Sequence, residues 1–204
     1  MTTLPSDQTK RFTVAISGAS GALYAVRLLQ ALIEREHKVY LTISKPASLV
    51  LQHELKLAVD LSHFSVERLV GRAAPHVSYY HYEDVSAPIA SGSFPIDAMV
   101  VVPCSMSTLA GVASGLGTNL ILRAAEVTLK ERRPLVLVPR ETPLGIIEIE
   151  NMLRASRAGA CILPAAPAFY HDPRDIDDMV GFVVGKVLNQ LGAGDHRFGW
   201  GKGA

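Results

Sequence analysis

Glycines, hydroxyl groups and charged side chains follow several strand-like segments of this chain. Residues 17–21 (SGASG) come directly after a β-branched run and open a segment with helical periodicity. Glycine lets a backbone approach an anion closely, and a helix N-terminus presents unpaired N–H groups to it. The loop therefore predicts a phosphate-binding turn, with a plain strand-to-helix turn as the alternative.

This loop differs from the fingerprint of dinucleotide-binding proteins. The GxGxxG pattern is absent, and the second strand-like segment ends in Ser44 and Lys45. A nicotinamide-dependent dehydrogenase would carry an acidic residue there to hold the ribose. The pattern argues against such an enzyme and is compatible with a mononucleotide such as FMN.

A second polar loop, residues 103–108 (PCSMST), follows the most apolar strand-like segment. It carries three hydroxyl side chains, Ser105, Ser107 and Thr108. One hydroxyl is enough to cap a helix, so three indicate a second anion-binding turn as well as a cap. Cys104 in the same loop is interpreted as a small buried residue without chemistry.

Charged and aromatic residues follow the later strand-like segments. Arg140 and Glu141 are adjacent after a buried run, which predicts an anion clamp beside a proton-handling carboxylate, or else an exposed ion pair. Arg123 and Lys130 are seven apart and share one helix face, which is also typical of a solvated basic surface. Tyr170 follows a proline-rich loop and is otherwise an ordinary half-buried aromatic residue.

Strand and helix patterns alternate along the chain, which predicts a single three-layer, doubly wound α/β domain. The sheet is expected to be mostly parallel, flavodoxin-like or Rossmann-like, over residues 1–204, with residues 1–10 and 192–204 as tails. Ligands then bind beyond the carboxyl ends of the strands. The predicted strands are 12–17, 38–44, 77–82, 98–102, 135–138 and 160–163, and the longer predicted helices are 22–35, 46–57, 105–114, 120–132, 146–158 and 175–191.

Composition narrows the class of protein. The chain has 204 residues, 49% of them hydrophobic, and a net charge of +1, so it is globular and shows no general attraction to nucleic acid or membrane. No transmembrane run, signal peptide or metal-binding spacing is present, and the two cysteines do not form a disulfide framework. A cytoplasmic protein without a metal is expected.

Several stretches together resemble one family. They are residues 17–29 (SGASGALYAVRLL), 101–115 (VVPCSMSTLAGVASG), 119–144 (NLILRAAEVTLKERRPLVLVPRETPL) and 162–171 (ILPAAPAFYH). In these motifs the chain is similar to the UbiX-type flavin prenyltransferases, formerly described as aromatic acid decarboxylases. The resemblance covers essentially the whole chain.

The resemblance implies a metal-independent transferase. The family transfers a dimethylallyl group from dimethylallyl phosphate to N5 and C6 of reduced FMN, and a UbiD-type decarboxylase uses the prenylated FMN. Monophosphate and pyrophosphate both remain open as donors, as do ubiquinone synthesis and aromatic acid breakdown as pathways. The resemblance also implies a homo-oligomer, often a dodecamer, with active sites shared between subunits.

The resemblance further implies roles for individual residues. The residues implied to hold FMN are Gly18, Ala19, Ser20, Ser44, Ser105, Met106, Ser107, Thr108 and Arg140. Those implied to line the dimethylallyl phosphate pocket are Arg123, Lys130, Arg140, Tyr170 and Lys186. Those implied to act in catalysis are Glu54, Lys130, Glu141 and Trp200.

Two other functions compete with the transferase. A flavin-dependent decarboxylase of the related groups would carry a histidine and a PASANT-like stretch, whereas this chain has PCSMSTL without a neighbouring histidine. A non-catalytic flavin carrier would need the flavin loops but not the combination of Lys130, Glu141 and Tyr170. No role is predicted for Glu148 or for residues 58–81.

Overall fold

The computed structural model describes residues 9–194 and contains one six-stranded sheet. The strand order is β3-β2-β1-β4-β5-β6, and every pairing is parallel. The strands are β1 (Arg11–Ile16), β2 (Lys38–Ile43), β3 (Val77–Tyr79), β4 (Ala98–Cys104), β5 (Leu135–Pro139) and β6 (Cys161–Ile162). The predicted doubly wound α/β fold is confirmed.

Seven helices cover the two faces of the sheet. They are α1 (Ala22–Glu34), α2 (Lys45–Leu55), α3 (Val66–Val70), α4 (Met106–Ala113), α5 (Leu120–Lys130), α6 (Ile146–Arg157) and α7 (Ile176–Gln190). A 3-10 turn, Pro88–Ala90, precedes β4. Among residues 9–194, no helix combines the length and the apolar character needed to cross a membrane.

Side chains alternate between the two faces of each strand and build two cores. Phe12, Val14 and Ile16 of β1 point into the core formed with α1, α2, α3 and α7. Ala15 points into the other core, which lies beneath α4 and α5. The central strand β4 is buried along its whole length, as its apolar run predicts.

Chain order reverses between β1 and β4, which are neighbours at the centre of the sheet. From β1 the chain winds outward through β2 to β3, and from β4 it winds the other way through β5 to β6. The connections leave a crevice at such a switch point, beyond the carboxyl ends of the strands. The loops after β1 and β4 therefore frame the place where a ligand binds.

Helix and strand boundaries agree with the sequence patterns to within a few residues, except at the sheet edges. The predicted strand 77–82 is ordered as a strand only over Val77–Tyr79, and 160–163 only over Cys161–Ile162. Each is an edge strand with a single neighbour, and its pairing stops two residues before that neighbour ends, at Leu41 of β2 and at Leu137 of β5. Asp175, at the start of the predicted helix 175–191, caps α7, its Oδ1 accepting from the N–H of Asp178 at 2.8 Å.

Candidate active site

The loops after β1 and β2 touch at Gly18. A Cβ at this position would overlap the Cβ of Pro46 in the first turn of α2, so the close approach requires glycine. Ser44 holds the second loop: its N–H donates to the Ile16 carbonyl at 3.0 Å, and its Oγ accepts from the Ala47 N–H at 3.2 Å. Two of the predicted FMN-binding residues, Gly18 and Ser44, thus lie at adjacent strand ends.

Glu54 of α2 occupies the N-terminus of α1. Its carboxylate accepts from the N–H of Gly21 at 3.0 and 3.1 Å and from the N–H of Ala22 at 2.9 Å. The positive end of the α1 dipole stabilises a carboxylate there. Two of the donors that the SGASG loop was predicted to offer a phosphate therefore already bind Glu54, while Glu54 itself lies beside the flavin loop.

The N-terminus of α4 is capped by Ser105. Its Oγ accepts from the Thr108 N–H at 3.3 Å and donates to the Thr108 Oγ1 at 3.0 Å. The N–H groups of Met106 and Ser107 belong to the first turn and have no acceptor within the helix. With the exposed Ser107 hydroxyl they make up the turn that the sequence predicts to bind an anion, and it lies at the switch point.

Cys104 precedes this turn and is completely buried. Burial raises the pKa of its thiol to about 12. A thiol that keeps its proton is neither a nucleophile nor a metal ligand at neutral pH. The interpretation of Cys104 as a small buried residue is confirmed.

Arg140 joins the loop after β5 to the loop after β1. Its Nε donates to the Ser20 carbonyl at 3.2 Å. Tyr24, in the first turn of α1, lies close enough for the two to interact: burial raises the pKa of Tyr24, and the Arg140 guanidinium partly offsets that increase. Sequence reasoning missed Tyr24, although the residue stands within the quoted motif SGASGALY.

Glu141 and Arg140 are sequence neighbours that take different partners. The Oε1 of Glu141 accepts from the N–H of Thr142 at 3.0 Å, and the side chain is exposed at the sheet edge. The guanidinium instead reaches back to loop 17–21. The pair therefore places a cation inside the crevice and a carboxylate at its rim.

Tyr170 and Lys186 meet around Phe182. The Tyr170 ring packs edge-on at 5.7 Å from the Phe182 centroid, and the Lys186 Nζ lies 5.4 Å above the same ring. A cavity of about 300 Å³ opens beside Lys186 and Phe182, with Leu163 on its wall. Tyr170 is 55% exposed, so its phenol faces outward. Sequence reasoning missed Phe182, which no charge or motif distinguishes from a core residue.

Arg123 and Lys130 lie at opposite ends of α5. The Arg123 Nε donates to the Ala90 carbonyl at 3.2 Å, and one Nη donates to Glu126 at 2.9 Å. The exposed Lys130 ends the helix, five residues before β5 begins at Leu135. An 11-residue helix is about 16 Å long, so Lys130 lies at the amino edge of the sheet. It is separated from Tyr170 and Lys186 of the same chain because α5 and α7 pack on opposite faces of the sheet.

Other predicted positions have local roles or fall outside the description. Glu148 caps α6, its Oε2 accepting from the Gly145 N–H at 2.9 Å, which explains an acidic residue there. Residues 58–81 contain α3 and the edge strand β3. Trp200 lies outside residues 9–194. In the part of the chain that the structure describes, no group of three or more His, Cys, Asp or Glu side chains could hold a metal ion.

Comparison with known proteins agrees with this geometry. The flavoprotein family matches residues 2–188. The flavin prenyltransferase UbiX of Pseudomonas aeruginosa is 49% identical over 90% of both chains. The chain belongs to the UbiX flavin prenyltransferase family.

Solved structures of UbiX-type proteins share the fold. One is the crystal structure of AnUbiX (PadA1) in complex with FMN and dimethylallyl pyrophosphate, with a TM-score of 0.80 and 40% identity over 91% of this chain and 93% of that one. Another is a dodecameric FMN-dependent UbiX-like decarboxylase from Escherichia coli O157:H7, with a TM-score of 0.78 and 43% identity over 89% and 94%.

For a UbiX-family chain, the structure divides the predicted residues into three groups. The loops after β1, β2, β4 and β5 meet at one edge and bring together Gly18, Ala19, Ser20, Ser44, Glu54, Ser105, Met106, Ser107, Thr108, Arg140 and Glu141. Tyr170 and Lys186 form a second group around Phe182, between β6 and α7. Lys130 lies at the opposite edge.

Proposed function

We propose that this protein transfers a dimethylallyl group from dimethylallyl phosphate to N5 and C6 of reduced FMN. The released prenylated FMN would serve a decarboxylase of the UbiD type. One observation carries the proposal: two sets of phosphate-binding groups, the first turn of α4 with Arg140 and the Tyr170–Lys186 pair, lie on a chain of the UbiX family. A reaction between two phosphorylated molecules needs two such sets.

The groups at the switch point suit FMN. The first turn of α4 offers N–H groups of Met106 and Ser107 and the Ser107 hydroxyl to its phosphate, whereas the corresponding donors of α1 already bind Glu54. The flat backbone of Gly18 and Ala19 and the hydroxyls of Ser20 and Ser44 line the adjoining loops. Reduced FMN supplies the nucleophilic N5 and C6 atoms.

Cationic and phenolic groups suit the phosphate of the donor. Lys186 and Tyr170 share the Phe182 ring beside the 300 Å³ cavity, and Arg140 extends from the flavin loops. Cleavage of the allylic C–O bond leaves negative charge on the phosphate, which these groups stabilise. The complex of AnUbiX with dimethylallyl pyrophosphate supports a dimethylallyl donor.

Two carboxylates are placed to move protons. Glu141 stands at the rim next to Arg140, and Glu54 holds the start of the flavin loop helix. The bond from N5 to the allylic carbon displaces phosphate and releases the N5 proton. The bond to C6 would then require a proton on the prenyl double bond, and C6 would release its own proton, so these groups would both donate and accept protons. Trp200 would shield the allylic cation from water, by resemblance to the family.

Lys130 would reach the site from a second copy of the chain. Its place at the amino edge of its own sheet excludes it from the site of the same chain. Helix α6 exposes three isoleucines, Ile146, Ile147 and Ile149, which are 73%, 67% and 54% exposed and would be covered in a homo-oligomer. The dodecameric E. coli relative supports assembly of this kind.

Mass spectrometry of the flavin tests the proposal. The protein is incubated anaerobically with reduced FMN and dimethylallyl phosphate, and in parallel with the pyrophosphate, and the flavin is then released. We expect a flavin heavier by one five-carbon prenyl unit with at least one donor. Unmodified FMN with both donors would refute the transferase.

Two variants separate an enzyme from a flavin carrier. We expect Lys130→Ala and Glu141→Gln to lose turnover while still binding FMN, because neither side chain lies in the flavin-binding loops after β1, β2 and β4. Arg68→Ala, at an exposed position of α3, is a matched control for a lost surface cation. Variants as active as the wild type would favour the carrier, and release of CO₂ from an aromatic acid by the protein alone would favour a decarboxylase.

A further inference from the structure

Ser17 is a buried hydroxyl residue to which no role has been assigned above. It follows the last residue of β1 and is only 1% exposed. Its Oγ donates to the Pro103 carbonyl at 2.9 Å and accepts from the Ser105 N–H at 2.8 Å. Its own N–H also donates to the Pro103 carbonyl, at 3.2 Å. Three hydrogen bonds thus join the chain after β1 to the chain after β4.

These bonds begin where the regular ladder between the two strands stops. The last paired residues of β1 and β4 are Ala15 and Val101. On its other side, the pairing of β4 with β5 is irregular between Val101 and Cys104. Beyond the last paired residues of β1 and β4, the Ser17 hydroxyl makes hydrogen bonds that connect the two chain segments. A residue without a hydroxyl cannot make these bonds.

From Ser17, the hydrogen bonds run into both proposed flavin loops. Ser105, whose N–H binds the Ser17 hydroxyl, caps α4 and binds Thr108 through its own Oγ. In the other direction, the Ser17 carbonyl accepts from the Ala19 N–H at 2.9 Å, and the next residue, Ser20, accepts from Arg140. The Ser17 hydroxyl therefore supplies two of the three hydrogen bonds that hold loop 17–21 at its distance from loop 103–108.

We infer that Ser17 is a positioning residue for FMN binding, acting through Ser105 and the first turn of α4. The inference rests on the proposed function and adds a residue that does not itself contact the flavin. Removing the hydroxyl leaves the Ser105 N–H without its acceptor in a buried place, so the loop must move to find another partner. A loop displaced by a fraction of an ångström no longer matches a phosphate held by several donors.

Three variants test the inference by titration of oxidised FMN. We expect Ser17→Ala to raise the dissociation constant about tenfold, in keeping with the loss of one or two buried hydrogen bonds. Ser17→Thr keeps the hydroxyl and should bind within about twofold of the wild type. The matched control is Thr13→Val on the same strand, because Thr13 is fully buried and its Oγ1 has no hydrogen-bond partner among residues 9–194.

The visible absorption band of bound FMN provides a readout that a loss of stability alone would not change. Ser17→Ala should shift this band relative to the wild type at saturating FMN, and Thr13→Val should not. Equal FMN binding by Ser17→Ala and the wild type would overturn the inference. So would an equal loss in Thr13→Val, which would mean that any change in this buried layer weakens binding.

Hydrogen exchange of the wild-type protein keeps the inference testable if Ser17→Ala does not fold. We expect the Ser105 amide to be protected in the flavin-free protein, because its acceptor is a buried side chain. Rapid exchange would overturn the inference. The proposed transfer reaction can fail independently: a wild type that binds FMN without prenylating it would refute the transferase and leave the positioning of the loops by Ser17 intact.

Discussion

Glu54 combines a structural and a proposed catalytic position in one side chain. Its carboxylate accepts three hydrogen bonds from the N-terminus of α1, and its helix brings it to the edge of the flavin loop. A carboxylate at this place both completes the helix end and holds a negative charge close to the loop. The effects of Glu54 on stability and on activity can therefore be measured separately. One substitution removes only the negative charge of the side chain, and another removes its hydrogen-bond acceptor as well.

We expect Glu54→Ala to lower the free energy of unfolding by about 1–2 kcal/mol, because the first N–H groups of α1 lose their acceptor. Glu54→Gln should lower it less, since the amide oxygen still accepts, yet should lose most of the prenyl transfer. Urea unfolding and the flavin mass assay measure the two effects. Glu34→Ala, at the exposed end of the same helix α1, is the control because its surface ion pair with Arg72 contributes little, and a stability loss equal to that of Glu54→Ala would contradict the prediction.

Cys104 gives a prediction for alkaline pH. Its thiol pKa rises from 9.0 to about 12 in the folded protein, so the folded state keeps a proton that the unfolded chain releases. The stability due to this difference is complete below about pH 9 and is lost as the pH rises toward 12. Its size is on the order of a few kcal/mol.

Thermal unfolding at several pH values checks this expectation. The melting temperature of Cys104→Ala should fall less steeply between pH 9 and 12 than that of the wild type, whatever the cost of the lost side-chain volume. Tyr79, whose pKa is also raised to about 12, contributes equally in both proteins. Parallel curves for wild type and variant would show that the thiol does not titrate differently on folding.

At the scale of elements, the site depends on how closely the loop after β1 approaches α2. Gly18 and Pro46 leave no room for an added methyl group between them, while Ser44 ties α2 to the end of β1. Strand ends in a parallel sheet are side by side, so each helix N-terminus is delivered to the same crevice. Gly18 thus fixes the distance between α2 and loop 17–21.

We expect Gly18→Ala to weaken FMN binding by at least tenfold, because the new Cβ pushes α2 away from loop 17–21. Pro46→Gly removes the Cβ that it meets, so the double variant should recover part of the affinity. Two other Pro46 atoms remain 3.3 and 3.4 Å from the new Cβ, which limits the recovery. FMN titration of both single variants and the double variant measures the coupling, and strictly additive effects would count against direct contact.

At the scale of the whole molecule, a single chain does not bring all the proposed substrate residues together. Tyr170 and Lys186 lie beside Phe182 of α7, which packs on one face of the sheet, whereas Lys130 ends α5, which packs on the other face. A second copy that covers the apolar surface of α6 offers a route to a complete site. Sharing of residues between subunits, as proposed, would make activity depend on assembly.

Subunit mixing tests whether Lys130 acts across an interface. Lys130→Ala and Arg140→Ala should each be inactive alone, and co-refolded mixtures should regain activity. In some interfaces of the mixture, a chain that retains Arg140 then faces a chain that retains Lys130. The control is a mixture of Lys130→Ala with Lys130→Ala/Arg140→Ala, in which no interface is complete. Mixed oligomers that stay inactive would place both residues in the site of one chain.

The order of the elements and the positions of the polar loops follow from local patterns in the sequence. Apolar runs such as β4 and capping residues such as Asp175 act through neighbours in the chain, so periodicity and local composition predicted them closely. Because parallel strands share one carboxyl edge, the meeting of the SGASG and PCSMST loops also followed from the pattern.

The side-chain contacts of those loops, and the separation of residues predicted to act together, depend on tertiary packing. Glu54 takes the α1 donors, Ser17 spans two strands through its side chain, and Phe182 supports Tyr170 and Lys186. Most of these contacts join residues far apart in the chain, so which side chains meet depends on how the helices pack against the sheet. The place of Lys130 likewise follows from the direction of α5, because residues on one helix face can still lie at opposite edges of a sheet.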